Sequence, residues 1–379
     1  MSNLKQMLDI CKTIPKAKKF AEDLIDNKNI KDVWLDLSLL NATEGNYKES
    51  IRCLDQIKDY PPTKYHYIYC MGYYEMLLDH DLSKGFTSMN LGRNAGLWGN
   101  GFLNTDKPIV HDTSCLMGKT ILINMEAGLG DQIVFLRFIK QLKDIYDCMI
   151  IVKCSECLKD VFIQTSFIDK VISDNEYLNI DFDYWIPSMF LPVLLSTSYD
   201  DLIGDKYLVA DTKYVDKYKY ISENKSGRNI GIRWLGQAGD DYITRVFPEQ
   251  LLFDLFENTN DNVYSLQKDN SLSLPHSIID MDKEMLSWHD TMGIIENLDL
   301  VITSCTSIAH ASAAMGKETW VIIPKTPYYV WINKDGFSDK SDWYDSVTLF
   351  QQEKYGEWKD VFTKIKNKLQ NILINRGIT

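Results

Sequence analysis

The chain has 379 residues, 45% hydrophobic and 25% charged, the balance of a folded globular protein with room for two or three domains. A formal net charge of −12 and the lack of a basic stripe count against a dedicated nucleic-acid binder. No apolar run reaches the roughly 20 residues of a membrane span. The first residues carry no apolar signal core, and the eight scattered cysteines sit mostly in apolar surroundings, so reduced thiols and a cytoplasmic location are expected.

Residues 1–96 show no strand-like alternation and read as paired helices. Trp34, Leu37, Gly45, Tyr47, Ser50, Leu54, Ile57 and Pro62 fall at the spacing of one tetratricopeptide-like unit. That unit is two antiparallel helices across a Gly-Asn-Tyr turn, with Trp34 and Leu37 expected to interlock with Leu54 and Ile57. A second, degenerate unit runs from Ile68, Met71 and Gly72 to Gly85, Ser88 and Leu91. Two such units cannot bury a core alone, so the block is expected to dock on the rest of the chain.

From Thr120 the pattern becomes alternating strands and helices. Residues 97–221 carry strand candidates at Ile121–Asn124, Met149–Val152, Lys170–Ile172 and Tyr184–Ile186. Residues 222–352 carry them at Asn229–Trp234, Asn262–Leu266, Leu300–Thr303 and Thr319–Ile323, and residues 353–379 read as a terminal helix. The fold class is α/β: two Rossmann-like units of parallel sheet, joined at the polar stretch Ser222–Arg228, with a cleft between their strand ends.

The first unit opens with the segment from Ile121 to Ile139, ILINMEAGLGDQIVFLRFI. A buried strand meets a turn with Gly128 and Gly130, and Asp131 stands where a helix begins, followed by Gln132. Such a turn lets a ligand approach the backbone, and the helix start offers N–H groups to anionic or hydroxyl-rich ligands. Asp131 can cap that helix or act as a base on a bound hydroxyl. Four clusters follow strands of the second unit. Arg233, Gln237 and Arg245 lie in or beside one loop, where Arg245 can grip a phosphate bidentately or be a surface residue. Gln267 and Lys268 follow the next strand, Lys268 being a point charge for a diphosphate or a solvated lysine. Ser304, Cys305, Thr306 and Ser307 open a small-residue helix whose N-terminus can seat an anion, and His310 near its first turn either touches ligand or packs in the core. Last comes the aromatic loop Pro324–Trp331, which can stack on a base, wall a sugar pocket or simply pack. The pairs Asp181/Asp183 and Asp280/Asp282 are expected by chance among 53 acidic residues, and no metal-ligand set stands out.

Taken in order, GLGDQIVFLRF, IPSMFLP, GIRWLG…TRVFP, YSLQKD, NLDLVITSCTSIAHASAAMGK, DSVTLFQQ and YGEWKDVF resemble the tetratricopeptide-repeat-linked glycosyltransferases related to the heptosyltransferase family, glycosyltransferase family 9. More distantly they resemble O-GlcNAc transferase. The resemblance implies a GT-B fold, with the acceptor on the first Rossmann-like domain and a nucleotide-sugar donor, a co-substrate rather than a cofactor, on the second. It implies metal-independent, inverting transfer with Asp131 as general base. Arg245, Gln267, Lys268, Ser304, Thr306, Ser307 and His310 would then line the donor side, and Gly128, Gly130 and Gln132 the acceptor side. The chain departs from the family pattern at Cys305, where many relatives carry Asp, and at Gly236-Gln237-Ala238, where Gly-Asn-Pro is usual. Donor sugar and oligomeric state stay open, as does the acceptor: a glycan, a protein or a hydroxymethylated DNA base. The alternatives are a non-catalytic scaffold and another GT-B reaction such as 2-epimerisation of a nucleotide-sugar.

Overall fold

A computed structural model describes residues 8, 10, 11, 13–28, 33–60, 64–94, 103, 105–176, 180–236, 245–268, 273–336 and 338–375. Pro62, Gln237 and Ala238 lie outside them.

The N-terminal part is a helical layer of α1 (Ile14–Lys28), α2 (Val33–Thr43), α3 (Tyr47–Asp55), α4 (Lys64–Asp79) and α5 (Leu82–Asn94). Gly45 ends α2 at φ +82°, a left-handed closure that only glycine adopts freely. At the α4–α5 crossing, a Cβ on Gly72 would stand 2.7 Å from the Gly85 carbonyl oxygen, so these two helices touch backbone to backbone. The interlock expected between Leu37 and the Leu54/Ile57 pair is split. Leu37 packs with Ile14, Ala17, Leu40 and Cys53, because α1 covers that face. Leu54 and Ile57 join the large core shared with the rest of the chain, which is how the layer docks. Leu91 is exposed rather than packed.

Two parallel sheets follow. β1 (Thr120–Asn124), β2 (Met149–Cys154), β3 (Lys170–Ser173) and β4 (Tyr184–Pro187) lie in the order β3-β2-β1-β4. β5 (Asn229–Arg233), β6 (Asn262–Ser265), β7 (Ile278–Asp280), β8 (Leu300–Ser304), β9 (Thr319–Ile323) and β10 (Val347–Gln351) lie in the order β10-β9-β8-β5-β6-β7. Counted within its own unit, the second order is 3-2-1-4-5-6 reversed in reading direction, the doubly wound dinucleotide-fold order, and the first is its 3-2-1-4 portion. β8 and β9 are buried at every residue, as parallel strands covered on both faces must be. β7 and β10 were not among the expected strands. β7 is three residues long with two of them exposed, too short to show a period.

The stretch Ser222–Arg228 is not a free tether. Helix Lys219–Glu223 takes its first residues, and Arg228 is buried in a bidentate pair with Asp261 at 2.7 and 2.9 Å. The chain also meets the second unit earlier, where the Tyr207 and Leu208 N–H groups bind the Ala314 carbonyl at 2.9 and 3.0 Å. The last helix, Lys359–Asn375, lays Val361, Phe362, Ile365 and Leu369 in one apolar cluster with Trp320 and Phe350. No described helix is long and apolar enough to cross a membrane.

The α4–α5 contact sets a test. Gly72→Ala gains helix propensity of about 1 kcal/mol but drives a methyl group into backbone, an overpacking cost of about 1–3 kcal/mol. A net loss of stability is therefore expected in urea unfolding. A more stable variant would show that the crossing is not tight.

Candidate functional site

In a doubly wound sheet, ligands bind beyond the strand carboxyl ends, where the strand order reverses. Here those points lie between β1 and β4 and between β5 and β8.

At the first point, Gly128 is the N-cap of helix α6 (Leu129–Ile145), with ordinary extended backbone at φ −77°. The strained residue of the turn is Ala127, at φ +60°. Gly130 is required for space instead. A Cβ there would meet His310 Cδ2 at 2.8 Å and the Ser307 Cα at 3.4 Å. Asp131 does cap: its Oδ2 accepts the Gly128 N–H at 3.1 Å. Its Oδ1 accepts two phenols, Tyr328 and Tyr329, each at 2.8 Å. Beside it, buried Glu126 bonds β4's end, accepting the Met189 N–H at 3.3 Å, while the Glu126 N–H donates to Ser188 at 3.1 Å. Gln132 is buried and turned away, exchanging bonds of 2.8 and 3.0 Å with Ser155.

From Gln132 to Ile139 α6 is buried on every side, because the helical layer and the second unit cover what the sheet leaves open. Phe135 meets Phe86 of α5, with ring centres 6.1 Å apart, and Phe138 meets Trp343 at 6.0 Å. Arg137 is enclosed as well. Its guanidinium lies 4.4 Å from the Tyr344 ring, 5.0 Å from Trp343 and 5.3 Å from Tyr207, and it donates to the Trp343 carbonyl.

At the second point, β8 runs into Ser304 and Cys305, and Thr306 is the N-cap of the eight-residue helix Ser307–Ala314. The Thr306 hydroxyl pairs with Thr303 at 3.1 Å and makes no cap of its own, which leaves the first-turn N–H groups to other partners. The Ser304 hydroxyl is buried with no hydrogen-bond partner among the described residues. Arg245 joins this place: it donates to the Cys305 carbonyl at 3.1 Å, and its guanidinium and Thr306 both flank Gly236. Cys305 accepts the Trp331 indole N–H at 3.0 Å.

Other predicted site residues are engaged elsewhere. Gln267 is buried and accepts the Leu235 N–H at 3.0 Å, tying two strand ends together. Lys268 pairs with Asp282 at 3.0 Å, and Arg233 donates to the Leu266 carbonyl at 3.0 Å. His310 is a packed core residue, stacked on Trp331 at 4.9 Å and bonded to Tyr344 at 3.2 Å. Burial, and then the nearby Arg137 charge, pushes its imidazolium down to about 3. Among the described residues no group of three His, Cys, Asp or Glu side chains could hold a metal ion.

Sequence reasoning missed Tyr328, Tyr329, Glu126 and Arg137 as members of this cluster. The aromatic loop was visible, but its phenols reach Asp131 across 197 and 198 residues of chain, and nothing local signals that.

No family model and no curated protein matches this sequence. Solved structures with a similar backbone include a glycosyl transferase family 9 protein from Veillonella parvula, 11% identical with a TM-score of 0.49, over 67% of this chain and 90% of that one. They also include E. coli ADP-heptose lps heptosyltransferase II, 10% identical with a TM-score of 0.49, over 68% and 99%. An O-GlcNAc transferase mutant from Thermobaculum terrenum aligns over 98% and 93%, at 10% identity and a TM-score of 0.28.

Two measurements check the packing. Gly130→Ala should cost about 1–3 kcal/mol, because the ring it meets is itself stacked and buried, whereas Gly128→Ala should cost well under that. Equal effects in thermal unfolding would contradict the space argument. The second concerns pH. Unfolded His310 takes up a proton as pH falls through 6.5, and the folded ring does so only near 3. Stability therefore falls with falling pH between those values and is fully present above 6.5. His310→Gln should flatten the urea-midpoint slope between pH 4.5 and 7 by up to about one proton; an unchanged slope would mean that the ring is not held neutral.

Proposed function

We propose that this chain is a glycosyltransferase that moves a sugar from a nucleotide-diphosphate donor to an acceptor hydroxyl. The observation that carries the reading is the meeting of the two strand-order reversals. A carboxylate in the first turn of α6 stands across a glycine contact from a helix start flanked by an arginine. One side offers a base and the other a seat for a diphosphate. The ordered motifs that resemble glycosyltransferase family 9 support the same assignment, with the two units in a GT-B arrangement and the helical layer as a tetratricopeptide-like packing block.

On this reading the acceptor oxygen attacks the anomeric carbon as the bond from that carbon to the diphosphate oxygen breaks. The acceptor proton passes to Asp131. The charge left on the nucleoside diphosphate is met by Arg245 and the N–H groups after Thr306, and Ser304 and Ser307 add hydroxyls. Attack opposite the leaving group inverts the anomeric configuration. Lys268 enters this scheme only by leaving Asp282, and His310, being neutral, supplies shape and no charge. The acidic net charge favours a glycan or protein acceptor over a modified DNA base. A second reading, a non-catalytic scaffold, draws on the engagement of Asp131 and Lys268 with protein partners.

The test is a thermal-shift and hydrolysis screen against UDP-, GDP-, ADP-, CMP- and dTDP-linked sugars. A selective shift with slow nucleotide release is expected. For the donor so found, Asp131→Asn should abolish turnover with affinity nearly unchanged, and Arg245→Ala should weaken binding by roughly ten- to a hundredfold. Binding without turnover in the unaltered protein selects the scaffold, and equal small effects of both substitutions overturn the assigned roles.

A further inference from the structure

Two adjacent phenols converge on one oxygen of Asp131, and they are not equivalent. Tyr329 is fully buried, its ring edge-on to Phe86 of α5 at 5.5 Å and to Trp343 at 6.2 Å. It cannot withdraw without opening the core. Tyr328 is half-buried and opens the short turn Tyr329–Trp331 with extended backbone. Its ring centre is 4.2 Å from that of Tyr329. The segment that carries both is fixed from outside the sheets: Tyr73 of α4 donates to the Pro327 carbonyl, Thr326 donates to the Ala42 carbonyl, and Tyr47 of α3 bonds Thr326 at 3.3 Å.

A carboxylate oxygen accepts through two in-plane lone pairs. On Oδ1 both are met by phenols, and Oδ2 receives the Gly128 N–H. An incoming hydroxyl that is to give its proton to Oδ1 needs one of the two places the phenols hold. Tyr328 is the donor that can yield it.

We propose that Tyr329 is a positioning residue that holds the Asp131 carboxylate ionised and aimed, and that the Tyr328 hydroxyl keeps the place an acceptor hydroxyl takes. The second half rests on the transferase reading; the first does not. A hydrogen bond to the charged form of an acid favours that form, so Tyr329 keeps Asp131 free to receive a proton. It also fixes the carboxylate plane while Tyr328 and the acceptor exchange. Among the described residues, the other ionisable groups borne by the surrounding segments are Glu126 in the turn, Arg137 two turns along α6, His310 opposite Gly130, Arg245 beside the helix start at Thr306 and Lys325 at the start of the aromatic loop. His310 is uncharged across the working range, and the remaining four are common to every variant compared.

The experiment uses the full chain, with carbon-13 in its aspartate carboxyl groups and the Asp131 resonance identified by its loss in Asp131→Asn. Tyr329→Phe and Tyr328→Phe each keep the ring and remove one donor. Each should raise the Asp131 titration midpoint, by about one unit per bond lost. With the nucleotide-sugar found in the screen and water as acceptor, Tyr329→Phe should move the acidic limb of the rate profile up by the same amount. Tyr328→Phe should raise hydrolysis severalfold, because water gains the vacated place. A merely structural role would lower the melting temperature of the Phe variants and leave the midpoint alone. An unmoved midpoint in Tyr329→Phe overturns the proposal, even if sugar is transferred. Moved midpoints with no nucleotide-sugar hydrolysed by the unaltered protein uphold Tyr329 and overturn both the transferase reading and the place given to Tyr328. If Tyr329→Phe does not fold, 3-fluorotyrosine at position 329 decides instead: its more acidic phenol donates more strongly and should lower the Asp131 midpoint, and an unmoved midpoint overturns the proposal.

Discussion

Gly130 brings the start of α6 into contact with Ser307 and His310 of the second unit, and the arrangement between the two sheets depends on that missing side chain. A helix that close to its neighbour has little face left for water over its first half, where Gln132–Ile139 are all buried. Phe135 and Phe138 pack it on two sides. The same closeness excludes solvent from His310, which is why its ring stays neutral, and encloses Arg137, whose charge is met by the faces of Tyr344, Trp343 and Tyr207. The contact also sets Asp131 within reach of a loop that belongs to the other sheet.

Much of this was legible in the sequence, and the reasons are physical. β1, β8 and β9 are mostly apolar and buried, and their strand–turn–helix grammar gave the glycine turn, the place of Asp131 and the small-residue helix at Ser307. What escaped notice was whatever needs a distant partner. Arg137 reads as the polar face of a helix until the aromatic residues some two hundred positions later are folded onto it. Tyr328 and Tyr329 read as generic aromatic packing, because a phenol's partner cannot be inferred from its neighbours in the chain. Gly128 and Gly130 looked alike in the motif, yet one merely caps and the other makes room. β7 was too short to reveal a period.

Position and role separate in the same way. Arg245 stands where its place beyond a strand end led one to look, beside Thr306 and Cys305. Gln267 stands there too, but its amide satisfies the Leu235 N–H, and Lys268 neutralises Asp282. Polar residues gather at strand ends for two reasons: ligands bind there, and the ladder ends there with donors and acceptors to spare. A sequence motif cannot tell these apart, since the same side chains serve both. Cys305 shows the same thing, its sulfur taken by the Trp331 indole N–H and its carbonyl by Arg245.

The loop that bears Tyr328 and Tyr329 hangs from the helical layer by Tyr73, Tyr47 and the Ala42 carbonyl. In evolutionary terms the helices are therefore not a detachable module. Recombination that exchanged them for another helical array would keep every residue of both sheets and still lose the frame around Asp131. Any other helical array would have to offer the same three anchor points to keep the loop where it is.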